Sequence, residues 1–464
     1  MTLRSAIPQV PFPAILSGRA AELMAVVQQL DQSQHWPEAK LRAAQWQQLT
    51  ALVDHACRAV PWQAERLRAI GHTPGKPLTE AAWQRLPVLT RADIQAMGDR
   101  LHATIVPPAF GPAAEVASGG SSGVPVRVRK SAFEAFLWEA VNLREEFWHR
   151  DRPDADMMRL RGVPDGLTPD QVRAAQSPAG LILPDWGHPA NLVWQTGRLG
   201  VLSPRVPVSA QVAFLRKLRP GYLYTFPSYL RLLIAQIRDS RAKVPQLRAV
   251  FTASEQVTDD LREDCRAVFG APIVENYTSG ETGYIALQCP QSTALHVQSE
   301  TVLVEVLDAA GRPCRPGETG RVVITVLHSF AMPLLRYDIG DEAEVGEACA
   351  CGRTLPVLAR IAGRASDYFV MADGSRHRVD IGHYRLSRIP AIREFRLVQR
   401  SHARLVLQLV LARALTPDEA ATVQAVMQRG AGHLFPEIVI EQVPALERTA
   451  AGKLRMFVSE IAGA

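Results

Sequence analysis

The chain has 464 residues, 47% of them hydrophobic and 21% charged, with 52 basic against 46 acidic side chains for a formal charge of +6. That length exceeds one ordinary core and points to two to four domains. The composition excludes a disordered chain, and no apolar run is long enough to cross a bilayer, so no membrane association is expected. The small positive excess is spread without a basic stripe. It suits an anionic ligand such as a nucleotide and excludes nucleic acid as the expected partner. The opening stretch, MTLRSAIPQVPFPAILSGRA, is broken by prolines and reads as no signal peptide; the cytoplasm is the expected location. Six cysteines in such a chain argue against a disulfide scaffold and leave metal ligation or buried thiols.

Residues 36–60 place Leu41, Leu49, Leu52, Val53, Ala56 and Val60 on one helical stripe, predicting an N-terminal helical region. Further on, ASGGSSGVPV at 117–126 is followed by Arg-Val-Arg-Lys. Glycines let backbone amides approach an anion and serine hydroxyls add donors, so Ser118, Gly119, Gly120, Ser121, Ser122 and Gly123 form a candidate phosphate loop. The loop lacks the Gly-Lys-Ser/Thr ending of the other common nucleotide loop. In LPDWGHP, Trp186 reads as a packed turn residue, with a place in the wall of an acyl pocket, together with His188, as the alternative.

The middle of the chain alternates. GYLYTF (221–226), RAVFTAS (248–254) and PIVENY (272–277) read as strands. Between them, 227–239 reads as a helix with Pro at its first position. The stretch 258–270 reads as a helix with Thr258 as cap, acidic residues in its first turn and Gly270 past its end. Alternation at this spacing means a parallel sheet, and ligands of such sheets bind beyond the carboxyl ends of the strands. Those ends carry Thr225-Phe226, Ser254-Glu255 and Tyr277 through Glu281, so the site is expected there, with Ser254 and Glu255 among its nucleotide contacts. Residues 301–327 read as a hairpin. FRLVQR, RLVLQLVLA, 416–430 and EIVIEQV read as strand, strand, helix and strand of a small α+β unit. The division expected is a large α/β domain over 1–363, with parallel and mixed sheets flanked by helices plus a β subdomain, and a small mobile α+β lid over 364–464.

Five stretches occur in a fixed order: SGGSSG, NYTSGETG (276–283), LLRYDIGDEAEV (334–345), IAGRASDYF (361–369) and RTAAGKLR (448–455). In this set the sequence resembles the adenylate-forming superfamily of acyl-CoA ligases and peptide-synthetase adenylation domains, and most of all its phenylacetate–CoA ligase-like branch. The resemblance implies that Ser118 through Gly123 wrap phosphate, that Tyr277 stacks near adenine and that Glu281 holds Mg²⁺. It further implies that Asp341 binds the ribose hydroxyls, that Arg364 contacts ribose or phosphate beside the hinge, and that Lys453 is the catalytic lysine of the mobile domain. Only six residues are lysine (Lys40, Lys76, Lys130, Lys217, Lys243 and Lys453), which makes the placing of Lys453 more informative. Three departures from the pattern stand out: Val124-Pro125 after the phosphate loop, Gly280 before Glu281, and Ser366, followed by Asp367, at the hinge.

A second constellation is Cys289, His296, Cys349 and Cys351. Three thiolates and one imidazole form a closed tetrahedral set suited to structural Zn²⁺. Cys314 and His328 stand as alternative ligands, and packed thiols as the alternative to any metal. Some relatives in the resembled branch carry a metal at such a place.

The expectation is an ATP- and Mg²⁺-dependent enzyme that activates a small-molecule carboxylic acid, by family analogy an aryl acid, and passes it to coenzyme A. A carrier protein, amine or alcohol is the second acceptor. A catalytically silent nucleotide-binding relative and a zinc-containing nucleic-acid binder are the rivals. The oligomeric state, a dimer included, is left open.

Overall fold

The computed structural model describes the chain except residues 1, 118–125, 165, 365–367, 379–385, 387, 450–452 and 462–464. The described chain forms two compact units. The first gathers Met1–Ala155, Pro184–Gly197 and Val274–Gly363; the second gathers Asp156–Leu183, Arg198–Ile273 and Arg364–Ala464. No helix among the described residues is long and apolar enough to cross a membrane.

The strands of the first unit run in the order Val302–Leu307, Thr319–Val326, Tyr337–Val345, Val357–Arg364, Leu295–Val297, Gly283–Gln288 and Ile273–Ser279. The first two are the predicted hairpin, in register from Val302 opposite Val326 to Leu307 opposite Arg321. Helix Glu38–Ala59 forms where the stripe predicted it. Its Leu49, Leu52, Val53 and Ala56 are fully buried in one core with Leu327 and Leu335. Each large side chain there contributes roughly 1.5–3 kcal/mol. A second long helix, Ala132–His149, starts from a reciprocal cap: Ser131 accepts from the Glu134 amide, and the Glu134 carboxylate accepts from the Ser131 amide at 2.9 Å.

In the second unit the order is Ala249–Ala253, Tyr222–Thr225, Met157–Leu160, Leu199–Val201 and Leu181–Leu183. The first four are parallel and the last pairs antiparallel. All five residues of Ala249–Ala253 are buried, as a strand covered on both faces requires. Helices Pro227–Ser240 and Asp259–Phe269 appear where expected, the first with Pro at its start. Gly270 takes φ +67° and its amide closes the second helix on the Arg266 carbonyl at 2.9 Å, a left-handed ending that favours glycine. Thr258 occupies the cap position, but its hydroxyl accepts from Arg231 rather than from its own helix. The first-turn Asp260 is buried and pairs with the same arginine at 2.6 Å.

Within this unit, the chain from Arg364 onward has a sheet of its own, ordered Glu437–Gln442, Arg404–Leu411, Ile392–Gln399 and Phe457–Ser459. Helix Pro417–Ala431 packs Val423, Val426 and Met427 into its core with Phe395, Leu407 and Phe435. The final strand, Phe457–Ser459, escaped the sequence reading: at three residues it is too short to show alternation.

Candidate active site

Strands Ala113–Ala117 and Arg127–Ser131, which flank the candidate phosphate loop in sequence, pair antiparallel, with Ala117 opposite Arg127. The loop itself, Ser118 through Gly123, and the following Val124-Pro125 lie outside the described residues, as do Ser366 and Asp367.

Three of the expected residues belong to the first unit. Tyr277 is buried at the end of its strand, and its hydroxyl donates to Asp341 Oδ2 at 2.8 Å. Asp341 sits within strand Tyr337–Val345, one residue past Gly340, whose φ of +79° turns the backbone locally. Glu281 lies in the turn between strands Ile273–Ser279 and Gly283–Gln288. That turn is fixed by Ser279, whose Oγ accepts from the Thr282 amide at 3.0 Å and lies 2.9 Å from Thr282 Oγ1. Glu281 is 9% exposed, with Oε1 3.5 Å from Arg91 Nη1. Burial pushes the Tyr337 phenol up, and the Glu281 carboxylate pushes the same way.

Two cations of this unit went unnoticed in the sequence as site residues. Arg91 is one. Lys130, on the strand leaving the loop, is the other: burial pulls its ammonium below the usual lysine range, while Glu134 and Glu281 oppose the shift. The signal available was its rarity and its place directly after the loop. A third unflagged residue, Arg336, holds up the ribose-motif strand from beneath. It is buried and in the left-handed region at φ +53°. Its guanidinium donates to the carbonyls of Gln84 at 2.8 Å and Leu86 at 2.7 Å, and pairs with Glu305 at 3.0 Å.

In the second unit, the carboxyl ends of the parallel strands carry polar and aromatic groups, as expected. Arg161 follows strand Met157–Leu160, donates to the Tyr224 hydroxyl, and lies 4.5 Å over the Tyr224 ring and 4.2 Å over that of Phe226. Phe226 itself and Tyr222 are core residues. Ser254 is exposed and takes φ +73°, turning the chain sharply after strand Ala249–Ala253. Glu255 Oε2 then accepts from the Ser228 amide at 2.9 Å, and Oε1 from the Ser228 hydroxyl at 3.1 Å and the Leu454 amide at 3.0 Å. Lys453 is half-buried and tied to Thr449: its amide donates to Thr449 Oγ1 at 3.1 Å, and its carbonyl accepts from the Thr449 amide at 3.0 Å. Arg364 ends strand Val357–Arg364.

The Cys/His quartet assembles in the first unit. One ligand atom from each of Cys289, His296, Cys349 and Cys351 lies within 4.8 Å of all the others. Cys289 and Cys349 Sγ are 3.7 Å apart, and Cys351 Sγ is 3.3 Å from His296 Nε2. Tetrahedral zinc with Zn–S of about 2.3 Å and Zn–N of about 2.0–2.1 Å sets S···S near 3.8 Å and S···N near 3.5 Å, so the spacings fit that ion. The His296 ring has its other nitrogen 3.5 Å from the Leu355 carbonyl, and burial holds its pKa down to about 4, leaving the neutral imidazole a metal requires. Cys314 and His328 are not part of this quartet. Cys265 is a packed core thiol that burial pushes up to about 12.

Residues 162–329 match the family of AMP-binding enzymes. The chain is 30% identical over 178 residues to a phenylacetate–coenzyme A ligase of Thermus thermophilus, which covers 36% of this chain and 40% of that ligase. It is 23% identical over 344 residues to the phenylacetate–coenzyme A ligase of Escherichia coli K12, covering 72% and 73% of the two. Its fold matches crystal structures of 2-hydroxyisobutyryl-CoA ligase with an acyl-AMP, at a TM-score of 0.70 and 17% identity over 92% of this chain and 91% of that one. A benzoate CoA ligase from Burkholderia xenovorans LB400 matches at a TM-score of 0.51 and 18% identity, over 75% and 68%. The chain thus shares its fold with these acyl-CoA ligase structures, and its stretch 162–329 is similar to AMP-binding enzymes. Both curated relatives to which the chain is similar are phenylacetate–coenzyme A ligases. The matched stretch spans less than two thirds of the Thermus ligase, 40% of its length.

Proposed function

We propose that this protein activates a carboxylic acid with ATP and passes the acyl group to coenzyme A. In the first step a carboxylate oxygen attacks the α-phosphorus, the bond to the β-phosphate bridging oxygen breaks, and pyrophosphate leaves with its electron pair. In the second, the coenzyme A thiolate attacks the acyl carbonyl carbon and AMP leaves. The observation that carries the reading is the pairing of Tyr277 with Asp341, which brings two separate motifs of the resemblance together.

The first step joins two anions, so charge must be offset where it develops. The roles proposed follow the resemblance. Tyr277 stacks near adenine, Asp341 accepts from the ribose hydroxyls, Arg364 contacts ribose or phosphate, and the amides and hydroxyls of Ser118 through Gly123 hold phosphate. Glu281, a hard oxygen donor, suits Mg²⁺, which neutralises phosphate charge when bound. Lys453 supplies a point charge from a lid formed by 364–464 against a large domain of 1–363. Structural Zn²⁺ on Cys289, His296, Cys349 and Cys351 is supported by the spacings above; four protein ligands leave no open position for catalysis. Aryl acids are the first class to test, because both curated relatives are phenylacetate–coenzyme A ligases.

Acid-dependent exchange of pyrophosphate into ATP over a broad acid panel tests the reading. Exchange with at least one acid, followed by thioester formation with coenzyme A, is expected. No exchange together with no ATP binding overturns it. A carrier protein as acceptor is the second reading, tested by offering both thiols after exchange is found.

A further inference from the structure

We propose that Glu255 is a positioning residue that holds the Lys453 segment at the carboxyl edge of the parallel strands, and so sets the rate of adenylation. The inference rests on the reading of Lys453 given above. The sequence places Glu255 among the expected nucleotide contacts, and in the structure its carboxylate accepts three hydrogen bonds from protein donors. One oxygen accepts from the amide of Ser228, the second residue of helix Pro227–Ser240, and the other accepts from the Ser228 hydroxyl and from the amide of Leu454. Leu454 is the neighbour of Lys453, so the carboxylate grips the backbone one residue from the ammonium-bearing side chain. The contact joins residues 199 positions apart in sequence.

A second fastening lies beside the first. Arg448 donates to the same Ser228 hydroxyl at 2.9 Å, pairs with Glu394, and lies 4.1 Å over the Tyr229 ring. Arg448 and Leu454 also bridge each other. Ser228 is therefore shared between Glu255 and Arg448, and the two ends of the segment are tied to one point on the large strand-and-helix layer of this unit. The Thr449–Lys453 hydrogen bonds fix the lysine backbone between these ends. A lysine side chain has several rotatable bonds and about 2 kcal/mol of rotamer entropy, so fixing its backbone removes most of the search for a productive position. Every link is non-covalent, so the segment can be released once the acid is activated.

Glu255→Ala and Glu255→Gln in the full-length protein test this by two readouts. The first is limited trypsin digestion of the native protein, with cleavage after Lys453 followed by mass spectrometry. The second is pyrophosphate–ATP exchange with kcat and the KM for ATP separated. One charge-assisted hydrogen bond corresponds to about a tenfold change in the docked population or more. Glu255→Ala is therefore expected to speed cleavage after Lys453 about tenfold and lower exchange kcat by a similar factor. The KM for ATP should stay within about twofold if the Glu255 carboxylate acts through its bonds to Ser228 and Leu454. Glu255→Gln keeps an acceptor oxygen and falls between. Unchanged cleavage in both variants overturns the proposal, and so does a loss confined to the KM for ATP. Wild-type protein without exchange overturns the adenylation reading instead, while the proteolysis still decides whether Glu255 holds the segment.

Discussion

The Tyr277 hydroxyl donates to Asp341 Oδ2 at 2.8 Å, across 64 residues of sequence. The bond presets the carboxylate that the resemblance assigns to ribose. Tyr277→Phe removes one hydrogen bond to a charged group, and the KM for ATP in the exchange assay should rise about tenfold, the effect of roughly 1.5 kcal/mol. Asp341→Ala removes the acceptor altogether and should cost about a hundredfold or more in kcat/KM, since two such bonds are lost.

Lys453→Ala separates binding from chemistry. Loss of a cation aimed at developing charge costs about 10²–10³ in kcat. Exchange should fall by that factor, while ATP affinity by calorimetry changes little. Equal exchange in variant and wild type removes Lys453 from the mechanism.

If the quartet holds structural zinc as proposed, metal analysis of the purified protein should find close to one zinc per chain. Changing both Cys349 and Cys351 to Ser should abolish it and lower the melting temperature by several degrees, because structural zinc contributes folding free energy. Metal-free wild-type protein of unchanged stability ends that assignment.

Acid should destabilise the protein through His328. Its Nδ1 is buried with no hydrogen-bond partner among the described residues, and burial holds its pKa down to about 4. The unfolded imidazole titrates near 6.5. Between these values the unfolded state binds the proton and the folded state does not, so stability is full above about pH 6.5 and is lost as pH falls towards 4. The slope from one such group is at most about 1.4 kcal/mol per pH unit. Urea unfolding at pH 7, 6 and 5 should show the wild type losing ground to His328→Leu, a comparison that cancels the other histidines.

Arg336→Met tests the support beneath the ribose-motif strand. The guanidinium pairs with Glu305 at 3.0 Å, and burial already pushes the Glu305 carboxyl up against the pull of Arg336. Removing the arginine leaves a buried carboxylate and several carbonyls without their donor. Urea unfolding at pH 7 should show a loss of about 3–5 kcal/mol. The deficit should shrink at lower pH as Glu305 takes up a proton.

Much of the layout was readable because its signals are local. The 36–60 stripe, the Pro227 start, the Gly270 ending and the 302–326 hairpin each follow from a few adjacent residues and came out as expected. The grouping of Cys289, His296, Cys349 and Cys351 was likewise legible, because cysteines are few in the chain and only a handful of residue types ligate metals. Where local logic had a rival, it gave way: Thr258 occupies a cap position, yet a distant arginine takes its hydroxyl. Arg91 and Arg336 are not legible in the sequence because an isolated arginine among many carries no label of its surroundings.

By itself the sequence determined most of the middle and C-terminal elements, their order, and an ordered set of motifs that resembles adenylate-forming enzymes. Only the tertiary structure decided that Tyr277 meets Asp341 and that Glu255 grips the Leu454 amide. The physical reason is range. Helix and strand periods are fixed within a few bonds of each residue, whereas a carboxylate's partner depends on where a segment up to 199 residues away is packed.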